Sequence, residues 1–348
     1  MINNIQMCEF KEIDKNFNFE GLKDKSILIT GANGLIGSYV IDYLTYLNSQ
    51  KMYNIKIFAM SRSLEKMEKR FAKHPNLFYM EQDLNKPLFL NNTFDFIIHA
   101  ASNAHPLAFS KDPVGTMKTN LLGTMNLLES IKDNQNTKFL YISTGEIYGN
   151  NVDKAFTEKD CGTVDSKLAR SCYPESKRAA ETLCMAYSQQ YGIHTNVARL
   201  CYVYGPTITQ DNSRADAQFL RNALDKKDIV LKSEGLQKRT YCYVADVVSA
   251  LLTILTKAPS TEVYNIANKN SIVSIKEYAQ TLANLAGTNL KFEVPNELEK
   301  RGYSKSADSI LDAQKLSQLG WIPQYDIKSG LEHTLKIKRD GGVKCLRI

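Results

Sequence analysis

Through residue 205, short apolar runs alternate with longer stretches whose apolar residues recur every three or four positions. The run 26–30 is followed by Leu35, Ile36, Val40, Ile41 and Leu44 at helical spacing, which predicts strand, turn and helix. Further strands are predicted at 55–61, 76–80, 94–100, 138–143 and 194–200, and helices at 115–131 and 168–191. This alternation predicts βαβ units around a buried parallel sheet. Such a sheet binds ligands beyond the carboxyl ends of its strands. After residue 206 the rhythm becomes irregular. Helices are predicted near 214–225, 245–257, 274–286 and 327–337, and strands near 229–231, 240–243, 262–266 and 290–293.

Composition narrows the class. Apolar residues make up 43% of the 348 positions and charged residues 23%, which is ordinary for a globular protein. The net charge of +7 is interspersed, with a basic tail at Lys338, Arg339, Lys344 and Arg347. A mild positive field suits anionic small molecules such as nucleotides, and the absence of an aromatic-interleaved basic stripe argues against a nucleic-acid partner. The seven cysteines are odd in number and include no C-x-x-C pair, so neither a disulfide framework nor a zinc site is expected, and no metal is assigned. No apolar run approaches the roughly 20 residues of a membrane span, and the N-terminus lacks a signal-peptide core. A reducing cytoplasm is the expected location.

"TGANGLIGS" (30–38) places Gly31, Gly34 and Gly37 between an apolar strand and a helix. A dinucleotide pyrophosphate must come within hydrogen-bond distance of backbone amides at a helix N-terminus; a side chain at Gly31 or Gly34 would obstruct it, and Gly37 lets the helix pack tightly on the strand. Gly31, Asn33, Gly34, Leu35, Ile36 and Gly37 therefore form the expected cradle for NAD or NADP. After the second strand the chain reads Ser61-Arg62, with no acid to grip the ribose 2′-hydroxyl of NAD, and this favours NADP over NAD. A solvated surface role for Arg62 is the alternative. Asp83 and Leu84 follow the third strand, where Asp83 is placed to face the adenine. Ala100, Ala101 and Ser102 close the fourth strand with side chains small enough for a cofactor to lie against the backbone. These features predict an α/β fold: a Rossmann doubly wound parallel sheet with a smaller mixed α/β C-terminal substrate lobe. The expected division is an N-terminal extension at 1–25, the dinucleotide-binding domain at 26–205 with later segments able to return to it, the lobe at 206–337 and the tail at 338–348.

"YPESK" (173–177) puts Tyr173 and Lys177 on one helix face. A phenol ionises near pH 10 in water, and a neighbouring ammonium favours its charged form, so Tyr173 is expected to have a lowered pKa and act as a base. A helix can also carry this pair by chance. The strand ending in "YISTGEIYG" (141–149) supplies Ser143, Thr144 and Glu146 at the ligand crevice. A hydroxyl there can bond a reacting sugar oxygen, and a carboxylate can move a proton on a neighbouring carbon.

Together "TGANGLIGS", "STGEIYG", "YPESK", "VARLCYVYGP" and "RTYCYVADVVSALL" (239–252) resemble the extended short-chain dehydrogenase/reductase family, the NAD(P)-dependent nucleotide-sugar epimerases, dehydratases and decarboxylases. The resemblance spans about residues 24–335. It implies that Tyr173 is the catalytic base, Lys177 its helper and Thr144 the hydroxyl partner. It places Asn120, in the "TN" pair, beside the active site, and Arg239 on the nucleotide diphosphate. "HAASNAHP", "RSCYPESKRAAE" and "DNSR" (211–214, with Arg214) look like the UDP-glucuronate decarboxylase branch, whose catalytic glutamate Glu146 matches. Tyr202 stands where the family has an asparagine, so the substrate sits differently there. The implied chemistry is a transient 4-keto sugar made by a bound, recycled nicotinamide. Decarboxylation of a nucleotide-linked hexuronic acid is the specific expectation. 4,6-Dehydration, epimerisation and a non-catalytic NAD(P)-binding regulatory role are the alternatives. Gly145 stands where the family's Asp-Glu dehydratases carry their acid. A homodimer is implied through the helices 115–131 and 168–191, with Met117, Leu121, Leu122, Met125 and Leu128 as an apolar stripe.

Overall fold

Ile27, Leu28 and Ile29 are fully buried and alternate between two separate cores, as a strand covered on both faces requires. The computed structural model describes residues 2–90, 92–149, 154–294 and 308–340. The strands are β1 (Ser26–Thr30), β2 (Lys56–Ser61), β3 (Leu77–Glu81), β4 (Phe96–His99), β5 (Lys138–Thr144), β6 (His194–Leu200), β7 (Tyr202–Tyr204), β8 (Ile229–Leu231), β9 (Lys238–Tyr243), β10 (Glu262–Ile266), β11 (Ile272–Ser274) and β12 (Leu290–Phe292). The helices are α1 (Asn4–Asn16), α2 (Leu35–Lys51), α3 (Leu64–Arg70), α4 (Pro106–Lys111), α5 (Pro113–Ile131), α6 (Cys172–Tyr191), α7 (Ala215–Leu224), α8 (Val244–Lys257), α9 (Ile275–Ala286), α10 (Gln314–Ser317) and α11 (Ile327–Asp340).

Seven strands form one parallel sheet in the order β10-β6-β5-β4-β1-β2-β3. Ile27, Ile29, Ile57, Ile98 and Leu140 pack in the core that holds Val40 and Leu44 of α2 and Val247 and Leu251 of α8. Leu28, Ile97, Phe139 and Val197 pack in the core of Leu127 and Leu128 of α5 and Ala180 and Cys184 of α6. Each such side chain contributes about 1.5–3 kcal/mol by leaving water. The chain winds outward from β1 to β3, then returns to the other side of β1 with β4. This reversal opens a crevice at the strand ends. β10 joins the sheet at its far edge, so a segment after residue 206 returns to the large sheet. Smaller sheets β11-β9-β7 and β12-β8, with α7 and α9, form the lobe beside it.

The first 25 residues do not trail. Asn3 and Gln6 form a capping box on α1, and Phe10 and Ile13 are buried. Phe10 meets the rings of Tyr39 and Tyr43 edge-on at 5.4 Å each. Glu9, with no exposed surface, accepts hydrogen bonds from the hydroxyls of Tyr39 and Tyr243 (2.7 Å to Tyr243) and pairs with His333 Nδ1 at 2.8 Å. The polar average of this segment hides one apolar face. Of the stripe predicted for dimerisation, Met117 and Met125 are exposed, Leu121 and Leu122 are half-buried, and Leu128 is corrected to a core residue. The tail beyond Asp340, with Lys344 and Arg347, lies outside the described residues.

Candidate active site

The glycine turn is shaped by close approach. Gly31 has φ +68°, and a Cβ on it would stand 2.7 Å from the Ala100 carbonyl oxygen and 2.8 Å from the Ala101 nitrogen. A Cβ on Gly37 would stand 2.5 Å from the Gly31 oxygen, so α2 begins directly on the turn. Gly34 is the N-cap of α2, and the first-turn amides of Leu35, Ile36 and Gly37 have no acceptor within the helix. Asn33 bridges the turn to the end of β2 by donating to Ser61 Oγ at 2.9 Å. Its own carbonyl oxygen is buried without a partner. A cradle of helix amides with one orphaned acceptor fits a dinucleotide, whose phosphates accept and whose ribose hydroxyls donate. Arg62 is exposed just past β2. Glu81 stands opposite Ser61 on β3 and accepts from the Leu64 amide at 3.0 Å. Asp83 accepts from the Asn85 amide at 3.0 Å, and Leu84 is buried against Gly123.

The end of β4 is tied to the helices by a polar chain. Ser102 Oγ donates to Asn120 Oδ1 (2.8 Å), Asn120 Nδ2 donates to Ser176 Oγ (2.9 Å), and Ser176 Oγ donates to the Cys172 carbonyl (2.5 Å). Both ends of the Asn120 amide are therefore engaged within the protein. His99, fully buried, contacts Thr30 Oγ1 at 2.7 Å and Thr124 Oγ1 at 3.1 Å, and burial pushes its pKa down to about 3, which keeps the ring neutral.

Tyr173 sits at the second position of α6, because residues 169–171 form a separate 3-10 turn and the predicted helix from 168 begins only at Cys172. The Thr144 hydroxyl acts on the phenol to lower its pKa, and its Oγ1 also accepts from the Glu146 amide at 3.2 Å. The Phe109 ring stacks on the Tyr173 ring with centroids 4.8 Å apart, and the Arg170 guanidinium lies over Phe109 at 4.6 Å. Arg170 Nη2 also donates to Glu146 Oε2 at 2.8 Å. One expectation is corrected. Burial first, then the Glu146 carboxylate, push the Tyr173 pKa above its ordinary value, and Thr144, Arg214 and Arg170 only partly oppose them. Lys177 does not do the lowering. Its ammonium donates to the Ile142 carbonyl at 2.7 Å and lies over the Tyr141 ring at 4.7 Å. Burial pushes Lys177 itself down to about 7, against the opposing Glu181 carboxylate. Ser143 points its hydroxyl onto that Glu181, which is paired with Arg199 at 2.8 Å, so only the Ser143 backbone faces the crevice.

Across the crevice, the Arg239 guanidinium on β9 lies over the Tyr202 ring at 4.4 Å. Arg214 donates to the Val203 carbonyl at 2.9 Å, while its Nε is buried without a hydrogen bond and only 3.5 Å from Asp216. Burial pushes the pKa of the Tyr202 hydroxyl above its ordinary value, and the charges of Arg239, Glu146, Arg214 and Arg170 all act on it. Among the described residues, no three or more His, Cys, Asp or Glu side chains could hold a metal ion, and no helix is long and apolar enough to cross a membrane.

A family model for the NAD dependent epimerase/dehydratase family matches residues 27–267. The chain belongs to that family. It is therefore an enzyme of the epimerase/dehydratase class. UDP-glucuronic acid decarboxylase 6 of Arabidopsis thaliana is 32% identical over 305 residues, covering 88% of this chain and 86% of that protein. UDP-glucuronic acid decarboxylase 1 of Xenopus tropicalis is 31% identical over 311 residues, covering 89% of this chain and 71% of that protein. The crystal structure of UDP-glucose 4-epimerase with UDP-glucose from Thermotoga maritima superposes with a TM-score of 0.77 at 25% identity, covering 91% of this chain and 99% of that one. Within this epimerase/dehydratase site, sequence reasoning passed over Arg170 and Phe109. Arg170 stands three residues before Tyr173 in the quoted motif, and a cation so placed was a legible signal. Phe109 gave none, because α4 is too short for periodicity to show.

Proposed function

We propose that the chain decarboxylates a UDP-linked hexuronic acid through a transient 4-keto sugar, with NAD or NADP held at the glycine cradle and regenerated in each cycle. The observation that carries this reading is a set of three guanidiniums around Glu146 and Tyr202: Arg170 donates to Glu146 at 2.8 Å, Arg239 lies over the Tyr202 ring at 4.4 Å, and Arg214 donates to the Val203 carbonyl at 2.9 Å. A substrate with a diphosphate and a separate carboxylate matches that excess of positive charge. The identity to UDP-glucuronic acid decarboxylases supports the same substrate class.

When bound, the dinucleotide supplies reversible two-electron oxidation of sugar carbon 4. Gly31, Asn33, Gly34, Leu35, Ile36 and Gly37 would hold its phosphates and one ribose, Asp83, Leu84, Ala100, Ala101 and Ser102 its adenosine side, and Lys177 with the Ser143 backbone the other ribose. Ser61 and Arg62 favour the 2′-phosphate of NADP. Tyr173, held protonated by burial and Glu146, would take the proton of the carbon 4 hydroxyl only as the phenolate, which the positive charge of a bound oxidised nicotinamide beside it would favour, while Thr144 holds the same oxygen. The ketone makes the neighbouring carboxylate a β-keto acid, whose carbon–carbon bond breaks to release carbon dioxide and leave an enolate. Thr144 and Tyr173 donate to the enolate oxygen, and carbon 5 regains its proton from a water that the Glu146 carboxylate, held by Arg170, would orient, the hydroxide left behind taking up a proton from solvent. Arg239 on Tyr202 and Arg214 grip the diphosphate, and Asn120 fixes the end of β4. Dehydration is disfavoured because Gly145 supplies no acid where the family's Asp-Glu dehydratases carry one. Among the described residues the six cysteines are free thiols, which supports a reducing cytoplasm. The exposed Val114, Met117 and Met125 on α5 support a homodimer through α5 and α6.

Incubation with UDP-glucuronate, and with UDP-, GDP- and dTDP-hexoses, distinguishes the outcomes by mass spectrometry. Loss of about 44 mass units is the expected result, loss of about 18 marks dehydration, and unchanged mass with a new NMR spectrum marks epimerisation. Tyr173→Phe should cut turnover by about 10²–10⁴-fold while the dinucleotide still binds. A Tyr173→Phe enzyme of undiminished rate would remove Tyr173 from the chemistry.

A further inference from the structure

Phe109 holds no assigned role in the reaction above, yet it touches the proposed base directly. It is 3% exposed, and among the described residues the small apolar cluster around Tyr173 consists of Phe109 and Cys172. The remaining groups that act on the phenol are polar: Thr144 at the end of β5, Glu146 in the turn after it, Arg170 before α6, and Arg214 before α7. Polar contacts fix the hydroxyl. They do not fix the plane of the ring, which turns about its own long axis unless a flat surface lies against it. The interplanar angle between Phe109 and Tyr173 is 23°, and the Arg170 guanidinium that holds Glu146 lies on the same Phe109 ring. The short helix carrying Phe109 is itself moored from the lobe, since Ser213 Oγ accepts from the Leu107 amide at 2.9 Å and contacts His105 Nδ1 at 3.1 Å.

We propose that Phe109 is a positioning residue for Tyr173: its ring sets the plane of the phenol, walls it from water, and seats the Arg170 guanidinium that holds Glu146. This rests on the assignment of Tyr173 as the base. An aliphatic residue of similar volume fills the space but supplies no flat face, so the role belongs to the aromatic ring itself.

The test compares Phe109→Leu, Phe109→Ala and Phe109→Tyr in the full-length protein. With UDP-glucuronate, the Leu and Ala variants should lose about 10–100-fold in kcat, as for a reacting group misplaced by an ångström. KM should stay within about threefold, because the group acts after binding. Phe109→Tyr, which keeps the ring, should restore most of the rate. A second readout needs no turnover: 3-fluorotyrosine placed at position 173 is titrated by ¹⁹F NMR. Burial is the largest influence raising the phenol, so admitting water in Phe109→Ala should move its midpoint to lower pH, outweighing any loss of the Arg170 charge. A Phe109→Leu enzyme with wild-type kcat, or a midpoint unmoved in Phe109→Ala, overturns the proposal. If the wild-type protein leaves UDP-glucuronate unchanged, the reaction assignment fails, and the titration alone decides the role of Phe109. If Phe109→Ala loses its cooperative thermal transition, Phe109→Val, which is also too small to fill the space and so admits water, is titrated in its place and read the same way.

Discussion

Lys177 is 2% exposed and its ammonium rests on a backbone carbonyl, so burial and not Tyr173 governs its proton. Its folded pKa, about 7, lies below the ordinary lysine value, so the charged form is lost as pH rises through neutrality. Glu181, one helical turn on, is the largest influence holding that charge in place. Activity that needs the Lys177 cation should therefore have a basic limb. Glu181→Gln should move that limb to lower pH in a kcat profile, and an unmoved limb would remove the cation from the chemistry. Glu181→Gln also strips Arg199 of its buried partner, at a cost of about 3–5 kcal/mol, so a lowered melting temperature should accompany the shift. Tyr173 and Lys177 were legible from spacing alone. Their electrostatics were not, because burial dominates both, and the groups that act on Tyr173 come from the end of β5, the turn after it, the turn before α6 and the loop before α7.

At the scale of elements, α1 is where pattern and packing diverge most. Its residues average polar, but Glu9, Phe10 and Ile13 all point inward, and Glu9 ties α1 to α2, β9 and α11 through Tyr39, Tyr243 and His333. Phe10→Ala should destabilise the whole protein by about 3–5 kcal/mol, read by urea denaturation, since the vacated space lies between Tyr39 and Tyr43. A freely removable extension would lose almost nothing. The strands β1, β4, β5 and β6 were legible because parallel strands buried on both faces are short apolar runs. β7 and β11, three residues each, and α4 are too short to display a period, and they form because neighbouring strands and loops complete them.

For the whole molecule, the exposed apolar face of α5 bears on assembly. Val114 is 62% exposed and Met117 and Met125 are each 38% exposed, on the helix that packs beside α6. Met117→Glu combined with Met125→Glu should convert a sedimenting dimer to monomer without lowering the melting temperature of the fold, because a buried like-charge pair at an interface costs several kcal/mol. A wild-type protein that sediments only as monomer at micromolar concentration would dispose of the dimer.

The sequence by itself determined the alternation of buried strands and helices, the glycine turn and the Tyr–Lys spacing, because each depends on residues within a few positions of one another: strand burial, helix spacing and the close approach that only glycine permits. Tertiary structure alone decided the order of the strands with the return of β10 to the far edge, the packing of α1 against α2 and α11, and the meetings of Arg170 with Glu146 and Phe109 and of Arg239 with Tyr202. These depend on contacts between segments tens to hundreds of residues apart. Burial also inverted the expected shift of the Tyr173 phenol, since desolvation is set by everything folded around a group and is invisible in its local sequence.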